Sequence, residues 1–257
     1  MAKLLLPLLI VMSACAPLAG PDDAKRHDIV ILGEVHDNRD AHLGQAAELR
    51  ALAPTAVVFE MLTPEEARTA DADRAEIPRI WAASNWPDYA LYAPVFAALG
   101  EARIIGAATP RPVISSVYRD GPVASFGEDA TRFGLDAPLP PEQLATRLEM
   151  QFKAHCEAMP REMMSGMVNV QRFRDAVFAR AALDALETYG SPVAVIAGNG
   201  HARADWGIPA AIVRAAPDVT VRSVAFVEAT TDTPYDEVNI VPPAEREDPC
   251  LALRHRQ

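Results

Sequence analysis

Asp28-Ile29-Val30-Ile31-Leu32-Gly33-Glu34-Val35-His36 and Pro192-Val193-Ala194-Val195-Ile196-Ala197-Gly198-Asn199-Gly200-His201 are built alike. Each opens with a short apolar run rich in β-branched residues and without alternation. That is how a strand buried on both faces reads, and such strands belong to parallel or mixed sheets covered by helices. Each run meets a glycine, which lets the backbone turn sharply, and a histidine follows. Open α/β sheets place their ligands beyond the carboxyl ends of their strands. Two histidines about 165 positions apart in sequence are therefore set to meet in one pocket.

Working outward, the strand candidates are His27–Leu32, Ala56–Glu60, Arg103–Ala107, Pro192–Ala197 and Val219–Val227. Between the first two, Arg39–Leu52 carries Leu43, Ala46, Ala47 and Leu49–Leu52 at helical spacing. Trp86–Leu99 predicts a second helix, closed by Gly100. Pro141–Met159, stopped by Pro160, and Met167–Tyr189, ended by Gly190, then interrupt the strand rhythm. The expected fold is α/β, a central parallel or mixed sheet flanked by helices, with a helical insertion acting as a lid between about 140 and 190. One domain is expected over residues 27–257, with no internal repeat.

Half of the 257 residues are apolar and 23% are charged, a globular composition. The 24 basic against 35 acidic residues leave a net charge of −11, with no basic stripe for nucleic acid or for anionic lipid. Residues 1–14 read as a signal peptide: Lys3 supplies a positive start, and Leu4–Met12 an apolar stretch too short to span a bilayer. Met12-Ser13-Ala14-Cys15 resembles a bacterial lipobox, which makes Cys15 the lipidated first residue of the mature chain and 15–26 a tether. An ordinary signal peptide cut near Ala14 or Ala19 is the alternative. Export would leave Cys156 and Cys250 as an even pair in an oxidising compartment, where a disulfide is expected. Two unpaired thiols are the other reading.

Glu34 and His36, two apart beyond the first strand, can face one side of an extended backbone. Glu60 ends the second strand, and His201 closes the turn after the fourth. Three strand ends thus bring two imidazoles and up to two carboxylates to one edge. Such a set suits a divalent metal on His36, Glu60 and His201, or a general base with an orienting carboxylate. Any one of these residues alone reads equally well as a helix cap or a satisfied polar group. In the insertion, Gln171, Arg174 and Asp175 share a helix face. Arg174 can hold an anionic ligand group or pin a carboxylate, or simply pair along a solvated face. His155 reaches the pocket if the insertion is a lid. Met150, Met159, Met163, Met164 and Met167 offer a soft apolar surface, suited to a flat ligand or to core packing. The chain has no G-x-S-x-G elbow, no phosphate-binding G-x-x-x-x-G-K-[ST] loop and no H-E-x-x-H helix.

In order, Gly33-Glu34-Val35-His36-Asp37-Asn38, Phe59-Glu60-Met61, His155-Cys156, Gln171-x-x-Arg174-Asp175 and Gly198-Asn199-Gly200-His201 closely resemble the ChaN family. These are haem-binding lipoproteins of bacterial iron uptake, in a superfamily with the Tiki proteins and the erythromycin-esterase-like fold. The resemblance runs from about His27 to Cys250. The family's paired G-x-x-H motifs fall on Gly33–His36 and Gly198–His201, its glutamate on Glu60 and its arginine on Arg174.

The resemblance implies haem as ligand, supported by His36, Glu60, His155, Arg174 and His201, and a homodimer that sandwiches it. It also implies a lipid anchor on the periplasmic face of the bacterial envelope. Ala16 after Cys15 favours the outer membrane. The iron-ligating tyrosine of the family is sought among Tyr89, Tyr92 and Tyr118, ahead of Tyr189 and Tyr235, and an apolar face among Trp81, Trp86, Phe96 and the methionines. The competing expectation is a hydrolase, as relatives such as the Tiki proteases and erythromycin esterases suggest. There His36 and His201 hold a divalent metal or act as base, with Glu34 or Glu60 assisting.

Overall fold

The apolar run after Asp28 forms β1 (Ile29–Glu34), buried at every position. It stands in the middle of a six-stranded sheet with β2 (Ala56–Phe59), β3 (Arg103–Gly106), β4 (Val193–Gly198), β5 (Val221–Val227) and β6 (Glu237–Ile240). The order is β3-β2-β4-β1-β5-β6, and every pairing is parallel. The computed structural model describes residues 27–248, 250 and 251. The expected signal peptide and tether, with Cys15, lie outside the described residues.

Both faces of the central strands are covered, which is why β1, β2 and β4 carry no alternation. Val30, Leu32, Val57, Phe59 and Ile196 point to one face. Helices α1 (Arg39–Leu52), α2 (Pro64–Ala72), α3 (Ile77–Ala82) and α4 (Tyr89–Ala97) bring apolar side chains to that side. Ile29, Ile31, Val58, Val193 and Val195 point to the other. The chain reaches that side after β3 through α5 (Arg111–Asp120), α6 (Pro122–Phe126), α7 (Pro141–Ala154) and α8 (Met164–Tyr189). After β4 come α9 (Asn199–Ala202) and α10 (Ile208–Ala215), and α8 and α10 supply much of the second core. Each fully buried Val, Leu, Ile or Phe contributes roughly 1.5–3 kcal/mol, so the two cores dominate the stability of the sheet.

The expected strands occur within two residues of their limits. The expectation omitted β6, a four-residue edge strand whose residues alternate between half-buried and exposed. Arg39–Leu52 has the expected limits because Asn38 caps it, its Oδ1 accepting from Asp40 N and Ala41 N. The Trp86–Leu99 helix shortens to α4: the Asp88 side chain accepts from Ala90 N and starts the helix there. The Pro141–Met159 helix ends at Ala154, before Pro160 is reached. The chain reverses through Cys156 and Glu157, both at positive φ, and Cys156 is bonded to Cys250. The expected insertion at 140–190 is the second half of a longer helical stretch that starts at Arg111, where prolines and glycines break α5 and α6 into short pieces.

Candidate functional site at the carboxyl edge of the sheet

Strand order decides which side chains meet. β4 inserts between β1 and β2, so Glu34 pairs in register with Gly198, and Glu60 N donates to Ile196 O just past β2. The first G-x-x-H motif, the Glu60 corner and the second G-x-x-H motif therefore lie side by side. Both motif glycines are needed for space rather than for a turn. A Cβ on Gly33 would lie 2.5 Å from Asn199 Oδ1, and one on Gly198 would lie 2.9 Å from His36 Nε2.

Glu34 is buried and holds three partners. Tyr92 donates its hydroxyl to it, His36 Nδ1 lies 2.8 Å from Oε1, and His42 Nδ1 lies 3.4 Å from Oε2. Burial alone would raise this carboxyl; the hydrogen bonds and charges of His36 and His42 overcome it and hold it at about 2. His42 is fully buried on α1, and both its nitrogens face acceptors. Nε2 donates to His36 O at 3.0 Å, and Nδ1 lies 3.1 Å from Gln45 Oε1. Only the imidazolium satisfies that arrangement. Burial would lower His42 and His36, but Glu34 raises both. His36 is the open end of this relay: its side chain is 37% exposed and meets the Trp86 ring edge-on at 4.9 Å.

His201 ends a second relay. Its Nδ1 lies 2.6 Å from Asp175 Oδ1 on α8, its Nε2 lies 3.6 Å from Glu60 Oε1, and Gln171 Nε2 stands 3.1 Å from Nδ1. Glu60 Oε2 accepts from Gly198 N at 2.8 Å. Burial would lower His201, yet the carboxylates of Glu60 and Asp175 raise it. Burial also raises Asp175. We place the shared proton on His201, because carboxylates flank both of its nitrogens. Glu60 thus serves two imidazoles, and its charge raises His36 as well.

The site residues expected from sequence divide accordingly. Glu34, His36, Glu60 and His201 come together, joined by Asp175, which pairs with His201 rather than with Arg174. His42 and Gln45 were missed, their one signal being a histidine and a glutamine on the otherwise apolar core face of α1, while Tyr92, sought as an iron ligand, is bonded to Glu34. Among the described residues, no group of three or more His, Cys, Asp or Glu is arranged to hold a metal ion.

His155 and Arg174 belong instead to an open cavity of about 860 Å³ lined by α5, α7 and α8, which Gln171 and Gly200 join to His201. Ile114, Met150, Met167 and Val168 give it apolar walls, and Tyr118, Arg119 and Arg147 add polar groups. Its size suits a small-molecule or cofactor site. His155 Nδ1 donates to Gln151 O at 2.8 Å, which fixes the tautomer and leaves Nε2 unprotonated in the neutral ring. Trp81 and Phe96, expected as an apolar face for a ligand, are buried in the core on the opposite side of the sheet. Tyr89 and Tyr92 are on that side too, so of the three favoured tyrosines Tyr118 is the one that lines the cavity.

A family model described as haem-binding uptake, Tiki superfamily, ChaN matches residues 21–212. Among solved structures, that of cofacial haem binding to ChaN of Campylobacter jejuni superposes with a TM-score of 0.64 at 20% identity, over 85% of this chain and 89% of that one. At that identity the likeness shows the fold. The structure of the type III effector HopBA1 overlaps at a TM-score of 0.42 and 15% identity, over 82% of this chain and 84% of that one, and carries no argument. No curated protein matches the sequence.

Proposed function

We propose a function from one premise: the chain belongs to the ChaN family of haem-binding uptake proteins in the Tiki superfamily. The function is the binding of haem for iron uptake, and the cavity between α5, α7 and α8 is the observation that carries this reading. A haem needs apolar walls for its ring, cations for its two propionates and an iron ligand. The cavity offers Met150 and Met167 for the ring, Arg174 for a carboxylate, and the Tyr118 phenol or His155 Nε2 for the iron. Bound haem would supply an iron with a coordination position to fill; the chain's own part is to hold and orient it. Gln171 links this cavity to His201, so His36, Glu60 and His201 act here as a rigid polar floor. The rest of the proposal is anchoring through Cys15 on the periplasmic face of the bacterial envelope, at the outer membrane, and closure of two copies over the ligand.

Titrating hemin into the full-length protein while following the Soret band and the mass in solution tests it. A shifted band with a ligand-dependent dimer is expected, and Tyr118→Phe should move the band. An unchanged spectrum at micromolar hemin would refute the reading.

A second reading has its own observation. Two imidazoles, each backed by a carboxylate, flank Glu60, and holding a ligand does not require that arrangement. Hydrolysis would use the neutral form of His36 or His201 as base, above the pH at which the raised imidazole loses its proton, with Glu34, Asp175 and Glu60 orienting them, with or without a divalent metal. Turnover of chromogenic esters or peptides that is abolished in both His36→Ala and His201→Ala is the expected sign. Equal turnover in wild type and both variants would dismiss it.

A further inference from the structure

Helix α7 buries a single residue, and that residue is Arg147. Its apolar neighbours Leu144 and Met150 stay 36% and 39% exposed, while Arg147 is only 7% exposed. A helix that seats on its neighbours normally turns its apolar side chains inward. Among the described residues this cation forms no salt bridge, although Asp175 and Asp205 attract it from farther off. Nη2 makes one long bond, 3.5 Å to Trp206 O, and the group stacks over the Trp206 ring at 4.9 Å. Nε and Nη1 have no hydrogen-bond partner and are covered from solvent. The nearby Asp205 is engaged by Arg203 through two bonds of 2.8 Å, and Asp175 is engaged by His201. Burial depresses this guanidinium to about 10, against the pull of Asp175 and Asp205.

Buried polar groups are almost always bonded, and a buried charge still more so. An arginine left unpaired in the wall of a cavity is a donor set waiting for an anion. Arg147 lines the same cavity as Arg119 and Arg174. Arg119 is exposed, so its pairing is screened by water, whereas Arg147 acts in a drier place where a charge-assisted bond is stronger.

We infer that Arg147 is the carboxylate anchor of the cavity, the group that selects a ligand carrying an acid side arm over the same ligand without one. This rests on the haem reading, in which the arms are the two propionates of the macrocycle.

The test compares hemin with hemin dimethyl ester, in which both carboxylates are capped, on full-length wild type, Arg147→Met, Arg147→Lys and Arg119→Met. Wild type should prefer hemin at least tenfold, Arg147→Met should lose most of that preference, Arg147→Lys should keep part of it, and Arg119→Met should keep most of it. The ester should bind wild type and Arg147→Met alike. The ligand-free melting temperature of Arg147→Met should equal or exceed that of wild type, because an uncompensated buried charge has been removed. A wild type that binds acid and ester equally, or an Arg147→Met that keeps the preference, would overturn the assignment and leave haem binding standing. A fall in the ligand-free melting temperature would mark Arg147 as a structural cation and overturn it too. If wild type binds neither compound, the haem reading fails and the carboxylate assignment falls with it.

Discussion

Replacing Glu34 by glutamine keeps the shape of the side chain at the end of β1 and removes the charge that Tyr92, His36 and His42 surround. The folded chain holds this carboxyl at about 2 against an ordinary 4.5. By linkage, that difference contributes roughly 3 kcal/mol of stability at neutral pH. The folded value is the depressed one, so the contribution is complete above pH 4.5 and drains away as pH falls through 2. Glu34→Gln should therefore lower the urea midpoint strongly at pH 7, with an unchanged slope. At pH 3 its deficit should shrink to about half, on the order of 1.5 kcal/mol. Glu76→Gln is the control: Glu76 pairs with Arg79 on the surface, and exposed pairs of this kind contribute roughly 0–1 kcal/mol. Equal midpoints for Glu34→Gln and wild type at pH 7, or a deficit as large at pH 3 as at pH 7, would refute the account of this relay.

The imidazoles give the opposite slope. His36 and His42 are raised above their ordinary 6.5, so their pairing with Glu34 is complete below pH 6.5 and is lost as pH rises through the raised values. The melting temperature should fall on the alkaline side of neutrality in wild type, and that slope should flatten in Glu34→Gln. Tyr92→Phe removes a buried donor from a charged acceptor and should cost roughly 1.5–3 kcal/mol in chemical denaturation; a loss below the error of the fit would contradict the bond. Gly198→Ala places a Cβ 2.9 Å from His36 Nε2, so the ring must move away. The fold should survive while the His36 titration, followed by NMR, moves back toward 6.5. Cys156→Ser opens a bridge across 94 positions, which should cost about 3–5 kcal/mol through the unfolded chain. Reductant should then destabilise wild type and leave the variant unchanged.

What the sequence determines by itself is whatever one stretch of chain decides locally. A strand buried on both faces must be apolar throughout, so β1, β2 and β4 were legible to within two residues, and the apolar stretches of the partly exposed β3 and β5 placed them as closely. The polar residues that close the runs were legible as an edge, because a charged group after a buried strand has few other places to go. The cap at Asn38 and the limits of α1 were equally local. Tertiary structure decided the partners. Nothing near Glu34 in sequence announces Tyr92, 58 positions on, and nothing near Glu60 announces Gly198 N, 138 positions on. Those pairs exist because β4 threads between β1 and β2, and hydrophobic periodicity reports burial but is silent on strand order. The same holds for Asp175, whose neighbour Arg174 suggested a local ion pair until α8 laid its carboxylate against His201. It holds for Arg147, which reads as an ordinary solvent-facing arginine until Trp206 covers it. Edge strand β6, half-buried and bonded on one side, is too short to carry a pattern. Local physics fixes which residues are buried; long-range packing fixes what they are buried against.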